Sequence, residues 1–160
     1  MDERFYTSTE ASQITGCTRR QLQYWREKEV VVPTVNPSGK GRNVYYSESD
    51  LLVLTVMEYF LSVGLSFEIV VEVLGILRNR ESWLFNQSLC TTELKRFMLL
   101  LDSEKEPLKL VDFEINLASD KLQQGLAVIP FWLDRLYAKL QDSLQNFDRR
   151  LGTINPTTKN

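Results

Sequence analysis

The sequence predicts an α+β fold, mostly helical, and three observations carry that prediction. Two capping boxes, Thr7-Ser-Thr-Glu10 and Ser47-Glu-Ser-Asp50, each open a stretch of helical apolar spacing. Val111, Phe113, Ile115 and Leu117 alternate with Asp112, Glu114 and Asn116, the period of a half-buried strand. Leu133, Tyr137, Leu140, Leu144, Phe147 and Leu151 recur at spacings of 4, 3, 4, 3 and 4, the heptad seam of a terminal amphipathic helix.

The totals bound the function. A chain of 160 residues with 43% apolar and 25% charged residues is an ordinary globular composition, large enough for one medium domain or two very small ones. The net charge is −2, so any surface for an anionic partner must be local. Residues 1–46 hold seven Lys/Arg against five Asp/Glu and are the only segment with a positive balance; residues 47–80 hold two against five and residues 81–160 ten against eleven. The absence of histidine excludes Ser-His-Asp and Cys-His catalysis and every histidine metal site. Cys17 and Cys90 stand in unrelated contexts without a CxxC, so a reduced pair and no metal are expected. Asp112 and Glu114 read as the solvent face of a strand, and no nucleophile–base constellation exists, so an enzyme is not expected. The start Met-Asp-Glu-Arg is acidic and lacks an apolar core for a signal peptide, and no apolar run reaches the ~18 residues of a membrane span. A cytoplasmic setting is the expectation.

Taken in order, Thr7 caps a first helix through Ala11, Ile14 and Thr15, and Gly16 supplies a sharp turn. Thr18 then caps a second short helix over the stretch Thr18-Arg-Arg-Gln-Leu-Gln-Tyr-Trp-Arg-Glu-Lys-Glu-Val30. Leu22 and Trp25 lie on one face; Arg19, Arg20, Gln23 and Arg26 lie on the other. Arginine and glutamine suit base edges and phosphates in a major groove, although a solvated charged face is the plain alternative. Two short helices joined by a tight glycine turn form the helix-turn-helix pattern. Val30–Pro33 and Val44–Tyr46 are β-prone and flank a turn-rich basic loop, which predicts a hairpin wing with Lys40 and Arg42 near its tip. Ser47 caps the next helix, Gly64 stops it, and Ser66 caps another through Leu77, with Arg78 and Arg80 at its end.

Residues 5–77 resemble the DNA-binding domain of the MerR family of bacterial transcription regulators. The resemblance rests on Thr18-x-Arg20-x-Leu22-x-Tyr24-Trp25, on Tyr46-Ser-Glu-Ser-Asp-Leu51 after the wing, and on Gly64-Leu-Ser-Phe-Glu68 between the last two helices. It implies double-stranded DNA as the partner, with Thr18, Arg19, Arg20, Gln21, Gln23, Tyr24 and Arg26 of the second helix and Lys40, Arg42 and Asn43 of the wing as the candidate contacts. Tyr24 matches a family tyrosine that bonds phosphate; packing is the equal alternative. Two departures stand out. Val44 replaces an arginine that the family usually carries two residues before the last wing tyrosine. Gln23 and Trp25 replace a frequent arginine and tyrosine; Gln23 fits adenine, and Trp25 is expected in the core.

The C-terminal half is expected to begin with an irregular connection over residues 83–95, around Trp83, Phe85 and Leu89. Phe97–Leu101 fits a buried strand or the continuation of a helix through Leu94, Phe97, Met98 and Leu101, and the strand pattern of Val111–Leu117 favours the strand. Leu126–Ile129 is the candidate for a third strand after a loop at Asp120–Gly125, so two or three strands are expected, and Pro130 suits the first turn of the terminal helix. The organisation is thus 1–80, a winged helix-turn-helix; 81–152, a small antiparallel sheet and a helix for dimerisation or regulation; and 153–160, a tail. Leu133, Tyr137, Leu140, Leu144 and Phe147 are the candidate dimer seam, with packing on the chain's own sheet as the alternative. MerR relatives dimerise through a long helix directly after the DNA-binding domain; Pro107 and the alternating segment rule out such a helix here, so a homodimer would need another arrangement.

The expected function is a sequence-specific regulator acting as a homodimer on a palindrome-like operator, a repressor because no effector domain and no cofactor site are visible. The overall sequence also resembles the short MerR-type repressors found with cyanobacterial type V-K CRISPR-associated transposons. Two other classes stay open: a ligand-responsive activator with Trp83, Phe113, Trp132 and Tyr137 around an apolar pocket, and an excisionase-like protein that bends DNA.

Overall fold

The computed structural model describes residues 4–36, 44–82, 95–101 and 108–154. The chain begins with β1 (Tyr6–Thr7) and α1 (Ser8–Thr15). Thr7 Oγ1 accepts from the Glu10 N–H at 3.2 Å while the Glu10 carboxylate accepts from the Thr7 N–H at 3.0 Å, so both halves of the capping box are closed. Gly16 takes φ 81°, and α2 (Arg19–Glu27) follows behind a second closed box between Thr18 and Gln21. Next come β2 (Tyr45–Tyr46), α3 (Glu48–Ser62) and α4 (Phe67–Arg80), capped by Ser47 and Ser66 as predicted.

The expected hairpin differs. Val30–Pro33 is no strand, because the N–H groups of Val30 and Val31 both turn back to the Trp25 carbonyl, at 2.8 and 3.4 Å. Val35 instead forms a single bridge with Tyr45, and β2 pairs antiparallel with β1, Tyr6 opposite Tyr46 and Thr7 opposite Tyr45. The base of the wing is held by Asp50. Its Oδ2 accepts from the Thr34 N–H (2.9 Å), the Thr34 hydroxyl (2.6 Å) and the Ser47 N–H (2.9 Å). The tip, with Lys40, Arg42 and Asn43, lies outside the described residues, as does the connection carrying Trp83 and Cys90.

The C-terminal half contains β3 (Arg96–Leu101), β4 (Lys109–Asp112), α5 (Ile115–Gln123), β5 (Ala127–Trp132) and α6 (Leu133–Ile154). The strands form an antiparallel sheet in the order β4-β3-β5, three strands where two or three were expected. Three boundaries are corrected. The alternating segment leaves the sheet after Asp112, because the Glu114 carboxylate accepts from the N–H groups of Asn116 (2.9 Å) and Leu117 (2.7 Å) and so caps a helix. That helix fills most of the expected loop at Asp120–Gly125. Pro130 lies inside edge strand β5 and not in a helix; its missing N–H is harmless on an edge, and its carbonyl accepts from the Tyr59 hydroxyl.

One apolar core runs through both halves. It joins Leu22 and Trp25 of α2, Leu51, Leu54, Met57 and Phe60 of α3, Val73 and Leu77 of α4, Phe97 and Phe131 of the sheet, and Leu140 and Phe147 of α6. Phe131 meets Phe60 edge-on at 4.9 Å. Polar ties cross the same boundary: Arg80 donates to the Leu110 carbonyl at 2.7 Å, Lys95 pairs with buried Glu81 at 3.2 Å, and Gln141 donates to Glu48 at 2.7 Å. Helix α6 packs on α1 and α3. Of the seam residues, Leu133, Leu140, Leu144 and Phe147 are buried in this core, Tyr137 is half-buried against it, and Leu151 is exposed. The seam is therefore filled from within the chain, by helices more than by the sheet.

Candidate nucleic-acid interface

Helix α2 owes its position to two side chains. Leu22 and Trp25 are each 2% exposed and anchor one face in the core. The opposite face is left to solvent, and there Arg19, Arg20, Gln23 and Arg26 line an open groove together with Ser8 at the start of α1. None of the three arginines makes an ion pair among the described residues. Unpaired guanidiniums on a rigid helix can accept phosphate or guanine without first breaking a salt bridge.

The remaining candidates sort by what holds them. Thr18 and Gln21 are occupied in capping the helix. Tyr24 is 43% exposed, tilts against Phe67 of α4 with ring centroids 5.3 Å apart and carries the Lys28 ammonium over its ring at 5.7 Å. Gln23 Nε2 donates to Glu27 Oε1 at 3.0 Å, one turn further along the same exposed face. Trp25 lies in the core, as expected. Val44 is fully buried, so the position where the family carries an arginine offers no contact surface. Lys40, Arg42 and Asn43 fall outside the described residues.

Sequence reasoning missed Ser8. It stands at the first position of α1, where only its place beside the groove distinguishes it, and a lone serine after a capping threonine gives no other signal. Tyr46, fully buried beneath this region, stands near Ser8 and Arg26; burial raises its phenol pKa, with the Arg26 charge opposing. Its hydroxyl closes no hydrogen bond of good geometry.

Elsewhere, Phe113 and Trp132 meet edge-on at 5.8 Å, and Arg96 and Arg135 lie over the Trp132 ring at 4.3 and 5.1 Å. Tyr137 instead lies against α3, where burial raises its pKa with Glu48 adding to the shift. These aromatics therefore do not line one pocket. An apolar cleft of about 190 Å³ lies between the sheet and α5, walled by Leu100, Val111, Leu117 and Leu126. Among the described residues no group of acidic or cysteine side chains could hold a metal, and no helix is long and apolar enough to cross a membrane.

Two short helices joined by a glycine turn, the second anchored by its apolar face and basic on the other, define a helix-turn-helix domain. Residues 6–75, under half of the chain, match the MerR HTH family regulatory protein. It is 37% identical over 76 residues to an uncharacterized HTH-type transcriptional regulator of Mycobacterium bovis and, to the same extent, to regulators so named in two strains of Mycobacterium tuberculosis. The match covers 47% of this chain and 34% of each relative, so the shared part spans about a third of the relatives' length.

Proposed function

We propose that the chain is a sequence-specific double-stranded DNA-binding transcription regulator. The observation that carries this reading is the groove of Arg19, Arg20, Gln23, Arg26 and Ser8 on the open face of α2, in a MerR-type domain. In this reading α2 enters the major groove, Arg19 and Arg20 meet bases or phosphate, and Arg26 and the wing residues Lys40 and Arg42 hold the backbone. Two copies act on a palindrome-like operator. With the α6 seam occupied within each chain, the copies meet through another surface. The regulator is a repressor; the likeness to short MerR-type repressors supports this part.

The test is a mobility-shift assay on the promoter beside its own gene. Binding should be lost in Arg20→Ala while circular dichroism stays unchanged. Undiminished affinity of that variant removes α2 from the interface. A reporter driven by the bound promoter separates repression from activation.

A further inference from the structure

We infer that Glu27 dictates which bases Gln23 reads; the inference rests on the proposed DNA-binding role of α2. A glutamine amide has a donor end and an acceptor end, and a free one can present either to a base. Gln23 is not free. Its Nε2 donates to Glu27 Oε1 at 3.0 Å, and the two side chains lie one helical turn apart on the exposed face. Among the described residues Glu27 makes no ion pair that would compete for it.

The consequence is directional. With its donor end turned back along the helix, Gln23 offers Oε1 to the groove that it lines with the arginines. An acceptor there fits a base that carries an exocyclic amine in the major groove, adenine N6 or cytosine N4. It is repelled by guanine O6 and thymine O4. The second hydrogen on Nε2 remains available to adenine N7, which places adenine ahead of cytosine. Docking strips water from the pair and strengthens the hydrogen bond that sets the orientation. The neighbouring arginines favour guanine, so one helix face presents donors and an oriented acceptor side by side.

Selection of sites from a randomised duplex pool by the full chain tests this, followed by competition among the four bases at each selected position. The unmodified protein should prefer adenine or cytosine over guanine or thymine by about tenfold at one position per half-site. Gln23→Ala should flatten that position alone. Glu27→Gln supplies an amide that donates as well as accepts, so Gln23 is released and the preference should fall to within about twofold. Ratios between bases are compared, so the general rise in affinity on removing a carboxylate does not enter. Full preference retained in Glu27→Gln overturns the inference, as does a guanine or thymine preference at the position that Gln23→Ala flattens, or no position flattened by that variant. A pool from which nothing is enriched instead overturns the DNA-reading role itself.

Discussion

Val30 and Trp25 close the end of α2: the Val30 N–H donates to the Trp25 carbonyl at 2.8 Å, and both side chains are buried. The Glu29 N–H donates to the Arg26 carbonyl at 3.0 Å, which completes a Schellman motif. The same pair of bonds ends α3 at Gly64 and α5 at Gly125, both at positive φ. At the end of α2 the left-handed position is held by Glu29, φ 57°. Its Cβ costs about 1–2 kcal/mol there, and its carboxylate sits unfavourably at a helix C-terminus. Glu29→Gly should therefore raise stability by about 0.5–1 kcal/mol after the added chain entropy of glycine is subtracted. Urea denaturation measures it, and Glu29→Ala, which keeps the Cβ, should show no gain from relief of backbone strain.

Asp50 gathers three donors on one oxygen and ties Thr34, at the start of the wing, to the cap of α3. Hydrogen bonds to a charged acceptor contribute about 1.5–3 kcal/mol each when a partner is lost, and this site is only partly buried. Asp50→Ala should cost about 2 kcal/mol in the same denaturation experiment. Asp50→Asn keeps an acceptor oxygen and should lose less. Equal losses would show that charge, not geometry, holds the wing base.

Arg26 faces the groove without an ion pair among the described residues, which suits a phosphate contact. Arg26→Ala should weaken binding uniformly across DNA sequences and reduce the slope of log affinity against log salt by about 1. Arg20→Ala should instead relax preference at particular bases. Titrations at several salt concentrations distinguish the two roles.

Cys17 is 1% exposed, with its thiol toward the Leu54 carbonyl at 3.6 Å. Burial pushes its pKa from 9.0 up to about 11. The folded state thus holds the proton more tightly than the unfolded chain, and the stability contribution is complete below pH 9.0 and lost as pH rises toward about 11. In a Cys90→Ser background, an aromatic disulfide reagent at pH 8 should modify Cys17 only as fast as the protein opens. Reaction at the rate of a free thiol would place Cys17 at the surface.

Much of the N-terminal half was legible because its signals are local. A capping threonine or serine, a residue three positions on and a glycine stop specify a helix without reference to the rest of the chain, and Thr7, Thr18, Ser47 and Ser66 all cap as read. Glu29 was not legible, since a left-handed glutamate has no sequence mark. In the C-terminal half periodicity misled. Val111 to Leu117 alternates like a strand, yet Glu114 caps a helix and leaves Ile115 65% exposed, because capping overrides a four-residue alternation. The heptad seam of α6 was read correctly as an apolar stripe. A stripe does not name its partner, and only the packing shows that α1 and α3 take it. The groove on α2 was visible as a charged face; Ser8 entered it only through the fold.

Leu140 is 1% exposed where α6 lies on α1 and α3, in the same core cluster as Leu22 and Trp25. Leu140→Ala should cost about 2–5 kcal/mol, since it removes transfer energy and leaves a cavity. If a dimer seam were the only role of this stripe, the loss would depend on protein concentration, as dissociation would accompany unfolding. Packing within the chain instead predicts that the loss caused by Leu140→Ala is the same at all protein concentrations, whatever other surface joins two copies. It also predicts that residues 1–80 alone fold poorly, because the apolar faces of α1 and α3 would be bare. A cooperative transition in that fragment, matching the whole chain, would show that the N-terminal half stands without α6.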